Sequence, residues 1–201
     1  MFPLFWYRFQ EKEQLIINIV LKPLVEAYKI AKKDERMISY DENTITRDIV
    51  WYLKNNTSIS SLYQKRTIAI IMRPKEHITI DEICEPDIKF IINTLLWMEI
   101  EAKRIYKEHN NWSTLEYLSE EDGIGRFLSG KYSKNEDHGG MIGYIQKGNL
   151  SEIISDIKSG LTNCNCKKYS DIDVMDNSMS SVHSRKNNDD IIIYHLFFYF
   201  S

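Results

Sequence analysis

Two short stretches carry residues whose types could do chemistry together. Residues 86–92 (Pro-Asp-Ile-Lys-Phe-Ile-Ile) and 96–105 (Leu-Trp-Met-Glu-Ile-Glu-Ala-Lys-Arg-Ile) alternate charge with apolarity. On a β-strand, alternate side chains share a face. Ile88, Phe90 and Ile92 therefore point one way and Asp87 and Lys89 the other, while Met98, Ile100 and Ala102 oppose Glu99, Glu101 and Lys103. If the strands form a hairpin their faces must match, because a one-residue slip would push charges into the core. Matching faces require paired residue numbers with an even sum. A sum of 188 leaves the loop Asn93-Thr94-Leu95 and sets Asp87 opposite Glu101 and Lys89 opposite Glu99; sums of 186 or 190 move the partners diagonally.

In the 188 register the carboxyl groups of Asp87 and Glu101 would stand about 5 Å apart, an arrangement that normally destabilises a sheet. A divalent cation between them reverses the sign of that interaction. Mg²⁺ suits such a place, since it is held by one or two carboxylates, retained waters and a substrate phosphate. Lys103 shares the face of Glu101, two residues on, where it could polarise an attacking water or neutralise charge developing on a phosphate. These parts describe metal-assisted phosphodiester hydrolysis. The competing reading is a solvated strand face whose cross-strand ion pairs are worth little.

Pro86-Asp87, thirteen intervening residues and Glu101-Ala102-Lys103 resemble the PD-(D/E)XK, or restriction-endonuclease-like, superfamily. That resemblance implies that Asp87 and Glu101 bind Mg²⁺ or Mn²⁺, that Ala102 lends its main-chain carbonyl to the metal, and that Lys103 assists the water. Many members add an acid from an upstream helix; Glu42, opening the stretch Glu42-Asn-Thr-Ile-Thr-Arg47, is the matching position, and it equally suits a plain helix-start acid favoured by the macrodipole. Asp81 and Glu82 are further acids near Asp87. Asp122-Gly-Ile-Gly-Arg-Phe-Leu-Ser-Gly-Lys-Tyr132, Gly140-Met-Ile-Gly-Tyr144 and Ser181-Val-His-Ser-Arg185, ahead of a terminal strand with His195, are similar to uncharacterised bacterial members, so the resemblance spans residues 42–200. It implies an α/β fold with a central mixed β-sheet flanked by helices, and a nuclease acting on DNA, an endonuclease before an exonuclease, in restriction, repair or anti-phage defence. Arg126 and Lys131 are its expected phosphate contacts. The alternative is a catalytically silent nucleic-acid-binding or regulatory subunit on the same fold.

The surrounding elements must position these groups. Residues 11–33 carry helical spacing with a kink or restart at Pro23, and Asp41 can cap a helix over 42–54. Strands are predicted at 67–72, 86–92, 96–105, 139–146 and at the chain's end, and helices at 114–130, ending near Gly130, and at 150–160, ending at Gly160. Residues 162–189, rich in Asn, Ser, Asp and Lys, read as loop. The whole is one domain: a helical extension over 1–40 and a nuclease-like core over 41–201. His195 reads as a satisfied core histidine, and His183 lies in a polar segment from which the site is within reach. Trp51, Trp97 and Trp112 read as core or edge packing. Gly123 and Gly125 do not make a phosphate loop, for no Gly-Lys-Ser/Thr follows and no strand precedes them.

Composition excludes several classes. Twelve Gly and Pro residues in 201 leave no room for collagen-like or linker sequence. The net charge of −3 advertises no domain-wide basic footprint, although a local basic groove can sit on an acidic protein. Three cysteines form no disulfide framework, which points to a reducing cytoplasm. The apolar ending is half the length of a bilayer span, so no membrane partner is expected. Double-strand cleavage would favour a homodimer, and the short chain also suits a subunit of a larger defence complex.

Overall fold

The computed structural model describes residues 12–74, 76–77, 83–92, 96–105, 107–108, 111–112, 114–186 and 189–200. The first helix is interrupted by a π turn, Ile17–Leu21, in which the Lys22 N–H donates to the carbonyl of Ile17. Pro23 is the cause: it has no N–H and its ring clashes with the carbonyl four residues back, so the ladder widens before it. Helix α1 (Lys22–Ala31) restarts there and buries Leu24, Ala27, Tyr28 and Ala31. Helix α2 (Glu42–Asn56) begins at Asp41, whose carboxylate accepts the Thr44 N–H at 2.7 Å, and buries Ile45, Ile49, Val50 and Leu53. A short α3 (Ser60–Gln64) follows.

Seven strands form one mixed sheet: β1 (Ile68–Met72), β2 (Ile88–Ile92), β3 (Leu96–Ile105), β4 (His138–Ile145), β5 (Cys166–Asp171), β6 (Met179–Ser184) and β7 (Asp190–Tyr199). Their spatial order is β1-β2-β3-β4-β7-β6-β5. β1, β2 and β3 pair antiparallel, β4 runs parallel to both β3 and β7, and the outer pairs are antiparallel. The hairpin register is Ile88↔Ile100, Lys89↔Glu99 and Phe90↔Met98, the 188 sum among the three even sums that the face pattern allows; residues 93–95 themselves lie outside the described residues. Both sheet faces are covered. One packs on α1 and α2 through Met98, Ile100, Ala102, Ile142 and Tyr144. The other packs on helices α4 (Thr114–Leu118), α5 (Gly125–Leu128) and α6 (Leu150–Leu161) through Ile105, Met141, Ile145, Ile193 and Phe197. Double burial accounts for the near-continuous apolar runs of β4 and β7.

Four local expectations change. The predicted helix 114–130 is two short helices, because the chain folds back at 119–124; a Cβ on Gly125 would lie 2.2 Å from the Glu120 carbonyl, so only glycine permits that return. Helix α6 does not stop at Gly160 but runs to Leu161 and a 3₁₀ turn; Gly160 serves the packing of α6 on α4, where a Cβ would meet Leu118 Cδ1 at 2.2 Å. Residues 162–189 are not a loop but contain β5 and β6. β5 is a solvent-exposed edge, so its polar composition reflects its place in the sheet and carries little strand signal. Trp51 and Trp97 are not packed inside: they are 57% and 49% exposed. The side chain of Trp112 lies outside the described residues.

His195 and His183 are both fully buried and belong to one directional hydrogen-bond chain. The Cys164 carbonyl can only accept, so His183 Nδ1 carries the proton that meets it at 2.7 Å. A neutral His183 then accepts at Nε2 from the Ser181 hydroxyl, 2.7 Å away. Ser181 Oγ in turn accepts from His195 Nε2 at 2.6 Å, which leaves His195 Nδ1 to accept from the Tyr117 hydroxyl at 2.8 Å. The chain ties α4 to β7, β6 and the 3₁₀ turn. Burial, reinforced by His183, pushes His195 down to about 3. Below pH 6.5 the unfolded chain takes up a proton that the folded one refuses, so stability falls as the pH drops. Urea unfolding should show a loss approaching 1.4 kcal/mol per unit, roughly, on descending from pH 6. At pH 7, Ser181→Ala should cost about 1–3 kcal/mol, because both imidazoles lose their shared partner; an unchanged midpoint would contradict this wiring.

Candidate functional site

The strand β3 outruns β2. Their ladder ends at Ile88↔Ile100, while β3 continues to Ile105 with β4 alone on its other side. In an antiparallel ladder the N–H and C=O of one residue face the same neighbour, so Ala102 and Arg104 present backbone groups where no strand remains. Two carboxylates replace it. Asp87 Oδ2 accepts the Ala102 N–H at 2.8 Å, and Glu42 Oε2 accepts the Arg104 N–H at 2.8 Å. Asp87 arrives from the residue before β2, and Glu42 from the first turn of α2. That turn is fixed from two sides: Gln146 Nε2 donates to the carbonyls of Met37 and Tyr40 at 2.8 Å each, and Thr46 Oγ1 lies 3.1 Å from the Tyr144 hydroxyl.

These groups open on a cleft of about 300 Å³ lined by Glu42, Arg73, Glu85, Asp87, Glu101, Lys103, Arg126, Lys131 and Tyr132. The structure thus brings together Glu42, Asp87, Glu101, Lys103, Arg126 and Lys131, with the backbone of Ala102 at the base. Lys103 Nζ lies 2.8 Å from Glu101 Oε1 and 4.0 Å from Glu42 Oε1. Arg126 Nη1 approaches the same Glu101 Oε1 at 3.3 Å, so Arg126 faces a carboxylate as well as the cleft. Glu101 is 2% exposed, and its Oε2 has no hydrogen-bond partner among the described residues. Arg73, Glu85, Tyr132 and Asn43 were missed. Arg73 Nη2 reaches Asp87 Oδ1 at 3.3 Å and bonds Asn43 Oδ1, and the Tyr132 hydroxyl donates to the Glu85 carbonyl at 3.1 Å. The Arg73-Pro74 break read only as a strand end, and nothing in the spacing of Tyr132 points to the cleft.

The charged face is not solvated. Lys89 and Glu99 form a buried pair at 3.3 Å, and Glu99 Oε2 accepts the Ser133 N–H at 2.5 Å, so the 131–137 segment lies over this row. His183 does not line the cleft, being held by Ser181 and Cys164. Asp81 and Glu82 lie outside the described residues. Helix α4, not a strand, precedes Gly123 and Gly125.

Compared with protein-family models, curated proteins and solved structures, the chain matches none. Among the described residues no helix is long and apolar enough to cross a membrane.

Burial, and after it the charge of Asp87, pushes Glu101 up to about 7 against the pull of Lys103 and Arg126. Burial also raises Asp87, opposed first by the Ala102 N–H, and raises Glu42, opposed first by Lys103. Burial works to lower Lys103, but Glu101, Glu42 and Asp87 outweigh it and hold the ammonium above its ordinary value. Among the described residues no three His, Cys, Asp or Glu side chains stand together as a ready metal cluster; Lys103 and Arg126 occupy the flank of Glu101. The buried, unbonded Oε2 of Glu101 beside a second carboxylate is nevertheless the donor chemistry of a hard divalent cation, so these residues fit one. The folded protein keeps a proton on Glu101 between its unfolded value near 4.5 and about 7, and stability is lost as the pH rises through that window. Relative to Glu101→Gln, wild type in EDTA should lose about 2 kcal/mol between pH 5.5 and 8.5; parallel pH profiles of unfolding would contradict this.

Proposed function

We propose that the chain is a Mg²⁺- or Mn²⁺-dependent nuclease of restriction-endonuclease-like fold that hydrolyses phosphodiesters in DNA. The reading is carried by one observation: Asp87, Glu101 and Lys103 share a cleft in the 188 register, and one buried Glu101 oxygen has no partner among the described residues. The mixed sheet flanked by helices agrees with the fold that the residue pattern resembles. Asp87, Glu101 and the Ala102 carbonyl would hold the cation, with Glu42 completing the set. When bound, it would supply Lewis-acid stabilisation of the phosphoryl oxygens and lower the pKa of a water.

This chain's own residues do the rest. Lys103, kept charged by three carboxylates, donates hydrogen bonds from a fixed stem. It orients the attacking water and balances negative charge on the scissile phosphate. Arg73, Arg126 and Lys131 stand around the cleft to take phosphate oxygens, and Arg guanidinium groups can do so in bidentate fashion. A second reading rests on the ion pairing of Glu101 with both Lys103 and Arg126: a silent nuclease-fold subunit that binds nucleic acid without turnover. The homodimer, the larger defence assembly and the cytoplasmic setting belong to the proposal on the same footing.

Plasmid and single-stranded DNA incubated with Mg²⁺, Mn²⁺ or EDTA separate the two readings. The nuclease cuts only with metal, and Asp87→Ala or Lys103→Ala lowers the rate at least about 100-fold, with Lys103→Ala keeping a folded circular-dichroism spectrum. Full cutting by either variant ends the proposal, and metal-independent binding without cutting favours the silent subunit.

A further inference from the structure

The two cations on Glu101 are held in different ways. Lys103 stands two residues away on the same strand face, pairs with Glu101 and Glu42 and lines the cleft. Arg126 reaches Glu101 from the opposite wall, and its guanidinium is already shared: Nη2 bonds Asp122 Oδ1 at 3.1 Å, Nε donates to the Glu121 carbonyl at 3.0 Å, and Nη1 also meets the Tyr132 hydroxyl. Its side chain is partly exposed, and Asp122 is largely so. Arg126 and Lys131 also line a second, open groove of about 650 Å³ that continues past Ser129 to Lys134 and carries Glu120, Glu121 and Asp122 on its wall. The guanidinium therefore sits on the rim between cleft and groove, with partners on both sides.

Both cationic contacts fall on Oε1 of Glu101, while Oε2 is buried and unbonded. A divalent cation on this carboxylate and the Arg126 guanidinium at 3.3 Å would repel each other at short range in a desolvated site. Lys103 faces the cleft, whereas Arg126 is more exposed and also lines the groove, so Arg126 is the group with somewhere to move.

We infer that Arg126 is an exchangeable counter-ion of Glu101: it competes with the divalent cation in the free protein and, once displaced, serves as a phosphate contact on the groove side for the polyanionic substrate. This rests on the metal-site reading above. Metal and phosphodiester binding are then coupled through one side chain, and by linkage each strengthens the other. Arg126 thus meets each ligand in turn, and its removal has opposite effects on the two.

The test uses the full chain with Ca²⁺ as the probe cation in titration calorimetry at pH 8, and a 20-base-pair duplex as the probe phosphodiester. Arg126→Gln should bind Ca²⁺ about 5–10-fold more tightly than wild type, Arg126→Lys should stay near wild type, and Glu101→Gln should lose at least about tenfold. With Ca²⁺ present, Arg126→Gln should bind the duplex about 5–10-fold more weakly than wild type, and in EDTA the two should bind it alike. Equal or weaker Ca²⁺ binding by Arg126→Gln overturns the inference, since Arg126 would then support the carboxylate, and so does an equal loss of duplex affinity with and without Ca²⁺. Arg126→Lys binding Ca²⁺ as tightly as Arg126→Gln also overturns it, because charge would not be the cause. If wild type and Glu101→Gln alike bind no Ca²⁺, the metal-site reading falls and takes this inference with it, a result distinct from the others.

Discussion

The site depends on a strand that is longer than its partner. Once β3 passes Ile100, the N–H groups of Ala102 and Arg104 need acceptors, and leaving a buried backbone donor unpaired costs about 1–3 kcal/mol. Asp87 and Glu42 supply them. The same requirement draws two carboxylates from distant points of the chain to one edge, beside a third on β3 itself. Desolvating three carboxylates together is costly, and Lys103, Arg126 and Arg73 offset that cost. The edge of the sheet and the chemistry of the cleft are thus one structural problem with one solution.

Two neighbouring rows on this face show what separates scaffold from site. In the row Lys89–Glu99 both Glu99 oxygens are engaged, one by Lys89 and one by the Ser133 N–H. That row fixes the 131–137 segment, which Arg185 ties down further through the carbonyls of Ser133 and Glu136. Breaking such a buried pair is strongly destabilising, whereas keeping it adds little over an apolar pair; its work is to hold the cover in place. In the next row Glu101 has the same burial but one oxygen without a partner. A carboxylate desolvated to that degree and half-bonded among the described residues is stability forgone, and the proposed cation site rests on that feature.

Much of this was legible in the residues and some was not. Parity of charge and apolarity over 87–103 restricted the hairpin to registers of even sum, the observed 188 among them, because burial on both faces leaves no tolerance for a one-residue slip. Asp41 announced its helix through capping chemistry that is local and strong, and Asn149 caps α6 in the same way. The failures were all tertiary. β5 and β6 are held in place by β7, and β5 has an exposed edge that asks nothing apolar of its sequence. The fold-back at 119–124 turns on close backbone approach that composition does not encode. Trp97 lies open because the Lys89 ammonium occupies the space against its ring, 4.7 Å from the centroid, instead of a second apolar element. Arg73 and Tyr132 enter the cleft by the paths of their loops, and no periodicity reports that.

The near-neutral balance of the whole chain, 26 basic against 29 acidic residues, is repeated in miniature by the cleft, whose lining among the described residues holds four acids and four bases. A polyanion gains little from a wall of zero net charge. On the proposed reading, one divalent cation changes that: it adds two positive charges and returns Arg126 to the phosphate. Such a protein needs no basic surface to find its substrate, because the attraction is assembled when the cation binds. A strongly basic groove would hold any nucleic acid regardless of metal, whereas a balanced one makes productive binding conditional. On the proposed reading, the modest net charge, which advertises no basic footprint, agrees with a cleft whose attraction depends on metal.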